Sequence, residues 1–179
     1  MKNTINSTVK NITINAMGIA LFVVLSFAIR FPVFENYYLC LGYVAMTVYC
    51  YVIGTISGTM VGTIGVILYC LLISGLRGMP GWAIGNLVLG IIMGIMFKYT
   101  KKLKSTFLEF IISSIIIILA TAIAILVIKS VVEFLLYAEP FILRAAKNIY
   151  AFVADAFVII ISLPICKMLE PQLKKIISE

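Results

Sequence analysis

Long apolar stretches, broken by short polar or glycine-rich intervals, run through most of this chain. Apolar runs over about 12–29, 38–53, 57–73, 82–97, 107–128 and 148–168 predict six helices. Segments of roughly 17–22 residues suit a hydrocarbon core of about 30 Å. The first run is long for the apolar part of a signal peptide. It lacks a small-x-small cleavage site and stops at Arg30-Phe31-Pro32, so a retained first helix is expected. The fourth run is closed by Lys98, Lys101, Lys102 and Lys104, and a mixed-charge connection containing Glu139-Pro140 is expected over 129–147. No repeat, low-complexity tract or linker divides the sequence, which reads as a single membrane domain over 1–179.

The stretch Gly75–Asn86 (Gly-Leu-Arg-Gly-Met-Pro-Gly-Trp-Ala-Ile-Gly-Asn) is the richest in turn residues. Irregular backbone in a membrane protein belongs at the water interface or beside a protein-lined cavity. This segment is therefore expected to cap two helices at one face of the bilayer and to carry polar groups for a ligand. Gly54, Gly58 and Gly62, and then Gly81, Gly85, Gly90 and Gly94, recur near four-residue spacing. Small residues at that spacing let membrane helices approach closely, so these predict packing within one bundle.

Composition sharpens the class. Hydrophobic residues make up 63% of the 179 and charged residues 12%, with mean hydropathy +1.18. A soluble domain carries about 25% charge. The expected fold is an all-α integral membrane protein, a six-transmembrane-helix bundle. The net charge of +7 would suit a nucleic-acid binder, but most lysines flank apolar runs and read as topology signals. Membrane lipid, and no nucleic acid, is the expected surroundings. Nine of the fourteen Lys and Arg fall in the N-terminal segment, 98–104 and the C-terminal tail. By the positive-inside rule both termini are expected to be cytoplasmic, and Gly75–Asn86 to face outside.

Candidate chemistry is sparse. There is no histidine, and Cys40, Cys50, Cys70 and Cys166 lie scattered in apolar runs without a Cys-x-x-Cys pair. No metal site and no cofactor is expected. No Ser or Cys has an evident activating base, no acids stand at catalytic spacing, and no phosphate-binding Gly-x-x-x-x-Gly-Lys-Ser/Thr loop exists, which argues against an enzyme. Asp155 lies well inside the sixth apolar run, where a charge is costly and so marks function by default. Asn148, Phe152 and Asp155 share one helix face, and Trp82 and Asn86 form a similar pair. Together they suit a small, partly aromatic, hydrogen-bonding ligand. Blander readings stand beside this one: Trp82 as an interfacial belt residue, Asn86 as a helix–helix bond, Tyr43 as core, Arg30 and Arg77 as solvated loop charges.

The chain resembles the substrate-binding S component of an energy-coupling factor (ECF) vitamin transporter over nearly its whole length. Ala16-Met-Gly-Ile-Ala20 is similar to the family's Ala-x-x-x-Ala surface for docking the membrane-embedded T subunit. The order Arg30-Phe31-Pro32, Asn36, Tyr43, Gly54…Gly58…Gly62, the Gly-rich segment before Trp82, and Glu139-Pro140 resembles the riboflavin or hydroxymethylpyrimidine/thiamine branch. That branch tends to carry paired tryptophans where this chain has only Trp82, and a His or Lys where it has Ile67-Leu68-Tyr69. The resemblance therefore implies a vitamin-like ligand, riboflavin or a pyrimidine/thiamine precursor, without choosing between them. It implies a high-affinity vitamin-binding subunit of an ECF-type ABC importer in a bacterial or archaeal cytoplasmic membrane, with a T subunit and two ATPase subunits as partners. The expected pocket residues are Arg30, Asn36, Tyr43, Arg77, Trp82, Asn86, Glu139, Asn148, Phe152 and Asp155, and the resemblance implies Ala16 and Ala20 as docking residues. A stand-alone proton-coupled small-solute carrier with Asp155 as proton site, and an assembly subunit without a ligand, are the alternatives.

Overall fold

The computed structural model describes residues 2–28, 32–34 and 37–178, with side chains over 9–28, 39–73 and 75–175. Helix α1 (Lys2–Ala28) leads to a two-stranded antiparallel hairpin, β1 (Pro32–Phe34) and β2 (Tyr37–Tyr38). Then follow α2 (Gly42–Val52), α3 (Thr55–Tyr69, continued by a π turn over Cys70–Ser74) and α4 (Met79–Thr100). Helix α5 (Thr106–Thr121) runs through a π-helical stretch, Ala122–Lys129, into α6 (Ser130–Tyr137), and α7 (Phe141–Ser178) completes the order. Five helical segments are long and apolar enough to cross a membrane, and Gly42–Val52 is a shorter apolar helix.

Several boundaries differ from the sequence expectation. The fold is helical as expected, but a short hairpin occupies the start of the expected second span and α2 begins only at Gly42. The expected connection over 129–147 is almost entirely helical, leaving Ala138–Pro140 as the link. Ala138 ends α6 in the left-handed conformation (φ 55°), its N–H bonding to the Phe134 carbonyl at 2.9 Å. The Gly75–Asn86 segment shrinks to a turn ahead of Met79. Pro80 stands in the first turn of α4, where a missing N–H breaks no helical bond. Gly75 reverses the chain with φ 87°, and Gly54 makes the α2–α3 turn with φ 130°. Helix α7 continues through Pro164 and Pro171 to Ser178, well past the expected end at 168.

Glycines set the helix spacing. A Cβ on Gly94 would collide with the backbone of Thr55, one on Gly58 with Cys50, and one on Gly85 would lie 2.9 Å from the Ala124 carbonyl oxygen. Gly54 belongs to the turn instead, and a methyl group there would meet nothing within 4 Å. The buried core centres on Phe22, Tyr43, Met46, Leu89, Met93, Ile117 and Ile159. Helix α1 begins and α7 ends at the lysine-rich end of the bundle. There Lys101 Nζ donates to the Tyr51 carbonyl (2.5 Å) and pairs with Glu170 (2.8 Å). The turns 75–78 and 138–140 meet at the opposite end, through Arg77 and Glu139.

Candidate functional site

Helices α2, α3 and α4 build the first part of the site. Tyr43, fully buried on the first turn of α2, receives a hydrogen bond from Trp82 Nε1 (2.8 Å) and donates one to Asn86 Oδ1 (2.8 Å). Asn86 Nδ2 in turn donates to the Gly62 carbonyl of α3 (3.0 Å). Trp82 and Asn86 lie one turn apart on α4, so a single helix face presents both to Tyr43. The Trp82 ring meets Tyr69 edge-on at 5.8 Å. Asn86 thus does bond a neighbouring helix: its carboxamide is used at both ends, and it positions the Tyr43 hydroxyl.

Asp155 of α7 enters this cluster from the other side. It is buried, and its carboxylate interacts with Tyr43, whose single proton goes to Asn86 Oδ1. The Lys129 charge, carried on the π-helical stretch, acts on both Asp155 and Glu133. A second cluster adjoins at the same end. Buried Asn148 donates to Ser130 Oγ (3.0 Å) and to Glu133 Oε2 (3.4 Å). Arg144 Nε lies 3.8 Å from Glu133 and pairs closely with Glu139, to which Nη2 also donates at 2.5 Å. Arg77, largely exposed, closes the chain at 2.8 Å from Glu139 Oε1. The hydrogen bond from Arg144 holds the Glu139 carboxyl below its ordinary value, with the charges of Arg144, Arg77 and Lys147 adding to that against partial desolvation.

Of the residues expected from sequence, Tyr43, Trp82, Asn86 and Asp155 converge directly. Asn148, Arg77 and Glu139 join through Glu133 and Arg144, and Phe152 packs half-buried against the core between Asn148 and Asp155. Arg30 and Asn36 lie outside the described residues. Ala16 and Ala20 are exposed on α1, while Gly18 between them packs on Tyr49 and Val61. Sequence reasoning missed Lys129, Ser130, Glu133 and Arg144 by reading 129–147 as a connection. The polar spacing of Ser130 and Glu133, three apart before an apolar Phe134-Leu135-Leu136, was the available helical signal.

A separate network occupies the lysine-rich end. Lys167 Nζ lies 2.7 Å from Glu109 Oε2, and the Tyr51 hydroxyl donates to Glu109 Oε1 at 3.1 Å. These three residues help line a cavity of about 410 Å³, which shares no wall with the Tyr43–Asp155 cluster. Its walls are mostly apolar, whereas the Tyr43–Asp155 cluster holds the convergent polar groups.

No curated protein matches the chain. Residues 6–171, however, match the family described as ECF-type riboflavin transporter, S component. With its apolar helices, this makes the chain a multi-pass membrane protein and a vitamin-binding transporter subunit. By that match the protein belongs to the ECF-type riboflavin transporter S component family.

Proposed function

We propose that this chain captures a water-soluble vitamin, riboflavin first among the candidates, at the outer face of a bacterial or archaeal cytoplasmic membrane. It hands the ligand inward together with a T subunit and two ATPase subunits, and all 179 residues act as one membrane domain with both termini cytoplasmic. The observation that supports this most is the Tyr43–Trp82–Asn86–Asp155 cluster, set at the end of the bundle opposite most of the lysines. An aromatic face beside a buried carboxylate suits a flat heterocycle bearing N–H donors.

The roles divide by what each group has left to offer. Trp82 stacks on the ligand ring, with its N–H anchored on Tyr43. Asp155 accepts from a ligand N–H or hydroxyl, while the Tyr43 proton stays hydrogen-bonded to Asn86 Oδ1. Asn86 and Asn148 hold neighbouring polar groups in place, and Phe152 contributes apolar wall. Arg30 and Asn36 add polar contacts, as the family resemblance implies. Arg77, Glu139 and Arg144 latch the entrance. Ala16 and Ala20 form the docking face for the T subunit.

The test is to purify the chain in detergent and identify any retained small molecule by absorbance and mass spectrometry. Flavin fluorescence is then titrated against the emptied protein, with a pyrimidine and thiamine-precursor panel alongside. Saturable flavin quenching supports the riboflavin assignment. Binding of another panel member keeps the receptor reading and replaces the ligand. An emptied, folded chain that binds none of them overturns the proposal.

A further inference from the structure

The cavity at the lysine-rich end is built by three spans and is unlike the polar cluster in every respect. Its lining comprises Tyr51 of α2, Phe107, Phe110 and Ser113 of α5, and Leu163 and Pro164 of α7, with Glu109 and Lys167 on one wall. The volume of about 410 Å³ falls within the range of small-molecule sites, about 300–1,000 Å³. Phe107 is 72% exposed and Phe110 40%, and Pro164 is exposed too, so the mouth opens on the outward flank between α5 and α7. In a membrane-spanning bundle that flank meets acyl chains. Pro164, which lacks an N–H, lines the cavity from inside α7.

Charge marks one edge of the mouth. The Glu109 carboxylate is already taken up by Tyr51 on one oxygen and Lys167 on the other, so it repels an incoming anion little. The Lys167 side chain remains one-third exposed. Exposed Lys102 and Lys104 lie in the turn just before Thr106, which itself lines the cavity at the first turn of α5. Ser105 caps this end of the helix, its side-chain oxygen accepting from the Leu108 N–H. An apolar slot open to lipid, with Lys167 on its wall and exposed Lys102 and Lys104 in the turn that leads into it, matches one kind of occupant. Basic pockets between membrane helices bind anionic headgroups in this way.

We propose that this cavity is a binding site for an anionic phospholipid of the leaflet at the lysine-rich end. One acyl chain fills the slot between Phe110, Ser113, Leu163 and Pro164, and the phosphate rests among Lys102, Lys104 and Lys167. The site is independent of the vitamin-binding reading, because it shares no residue with it.

The experiment places the full chain in nanodiscs of dioleoylphosphatidylglycerol or dioleoylphosphatidylcholine and counts retained lipids by native mass spectrometry after mild delipidation. The expected result is one tightly retained phosphatidylglycerol per chain and no phosphatidylcholine counterpart. Ser113→Phe fills the slot and should remove that lipid. Lys102→Gln with Lys104→Gln, both on an exposed turn, should weaken retention by about twenty-five-fold, since each lysine near a headgroup counts for about fivefold. Equal retention of both lipids, or retention unchanged by the lysine pair, overturns the site. A protected mass equal to a second copy of the chain would overturn it in favour of a protein interface. Should Ser113→Phe fail to fold, the lysine pair decides the matter alone.

Discussion

Arg77 Nη2 lies 2.8 Å from Glu139 Oε1, joining the turn before α4 to the turn before α7 at the end where the polar cluster sits. Arg144 holds the same carboxylate from within α7, so one acid ties a nearby arginine to one that is distant in sequence. Glu139→Gln should loosen this closure and speed ligand release several-fold in stopped-flow fluorescence, with little change in thermal stability. An unchanged release rate would remove the latch from the entrance.

The same carboxylate predicts a pH dependence. Its pKa in the folded protein lies below the ordinary 4.5, chiefly because Arg144 donates to it. A depressed acid contributes its stabilisation above the unfolded pKa and loses it as pH falls through the folded value. The latch is therefore fully made at neutral pH and opens only below about pH 4.5. In buffers of constant ionic strength, release rates should be flat from about pH 5 to about pH 8, above the range where an ordinary carboxylate titrates. A rise in rate near neutrality would assign the closure to another group.

Tyr43 is the junction of the outer cluster, and its hydroxyl serves Trp82 and Asn86 at once. Tyr43→Phe leaves the indole N–H of half-buried Trp82 and the carboxamide oxygen of buried Asn86 without their partner. The expected cost is about 1–2 kcal/mol of stability, together with weaker ligand binding. Thermal unfolding in detergent and a binding titration measure the two effects separately. Loss of stability without loss of affinity would make Tyr43 a core residue only.

Asp155→Asn keeps the shape of the side chain and removes its charge. Hydrogen bonds to charged groups are worth about 1.5–3 kcal/mol, so affinity should fall roughly ten- to a hundredfold while expression is retained. Unchanged affinity would exclude Asp155 from the ligand.

Ala16→Trp and Ala20→Trp alter residues that are exposed on α1 and leave Gly18, which packs inward, untouched. Vitamin binding by the purified chain should be unaffected, and uptake in vesicles containing the T and ATPase subunits should stop. Uptake that survives both changes would move the docking face elsewhere.

Hydropathy by itself determined that this chain is built from apolar helices, because length and composition of a span follow directly from the solvent it must cross. It likewise marked Asp155, since a carboxylate inside an apolar run is conspicuous without knowledge of its neighbours. The glycine spacing foretold close packing, and only the fold separated Gly58, Gly85 and Gly94, which make contacts, from Gly54, which makes a turn. Helix ends were beyond the sequence wherever polar residues lie inside a helix. Lys129, Ser130, Glu133 and Arg144 look like a soluble connection until Asn148 and Glu139 are brought beside them. The same holds at the other end, where Glu109 is buried against Tyr51 and Lys167. A polar group satisfied by a distant partner carries no local signature, so the outer cluster, the latch and the cavity were decided by tertiary structure alone.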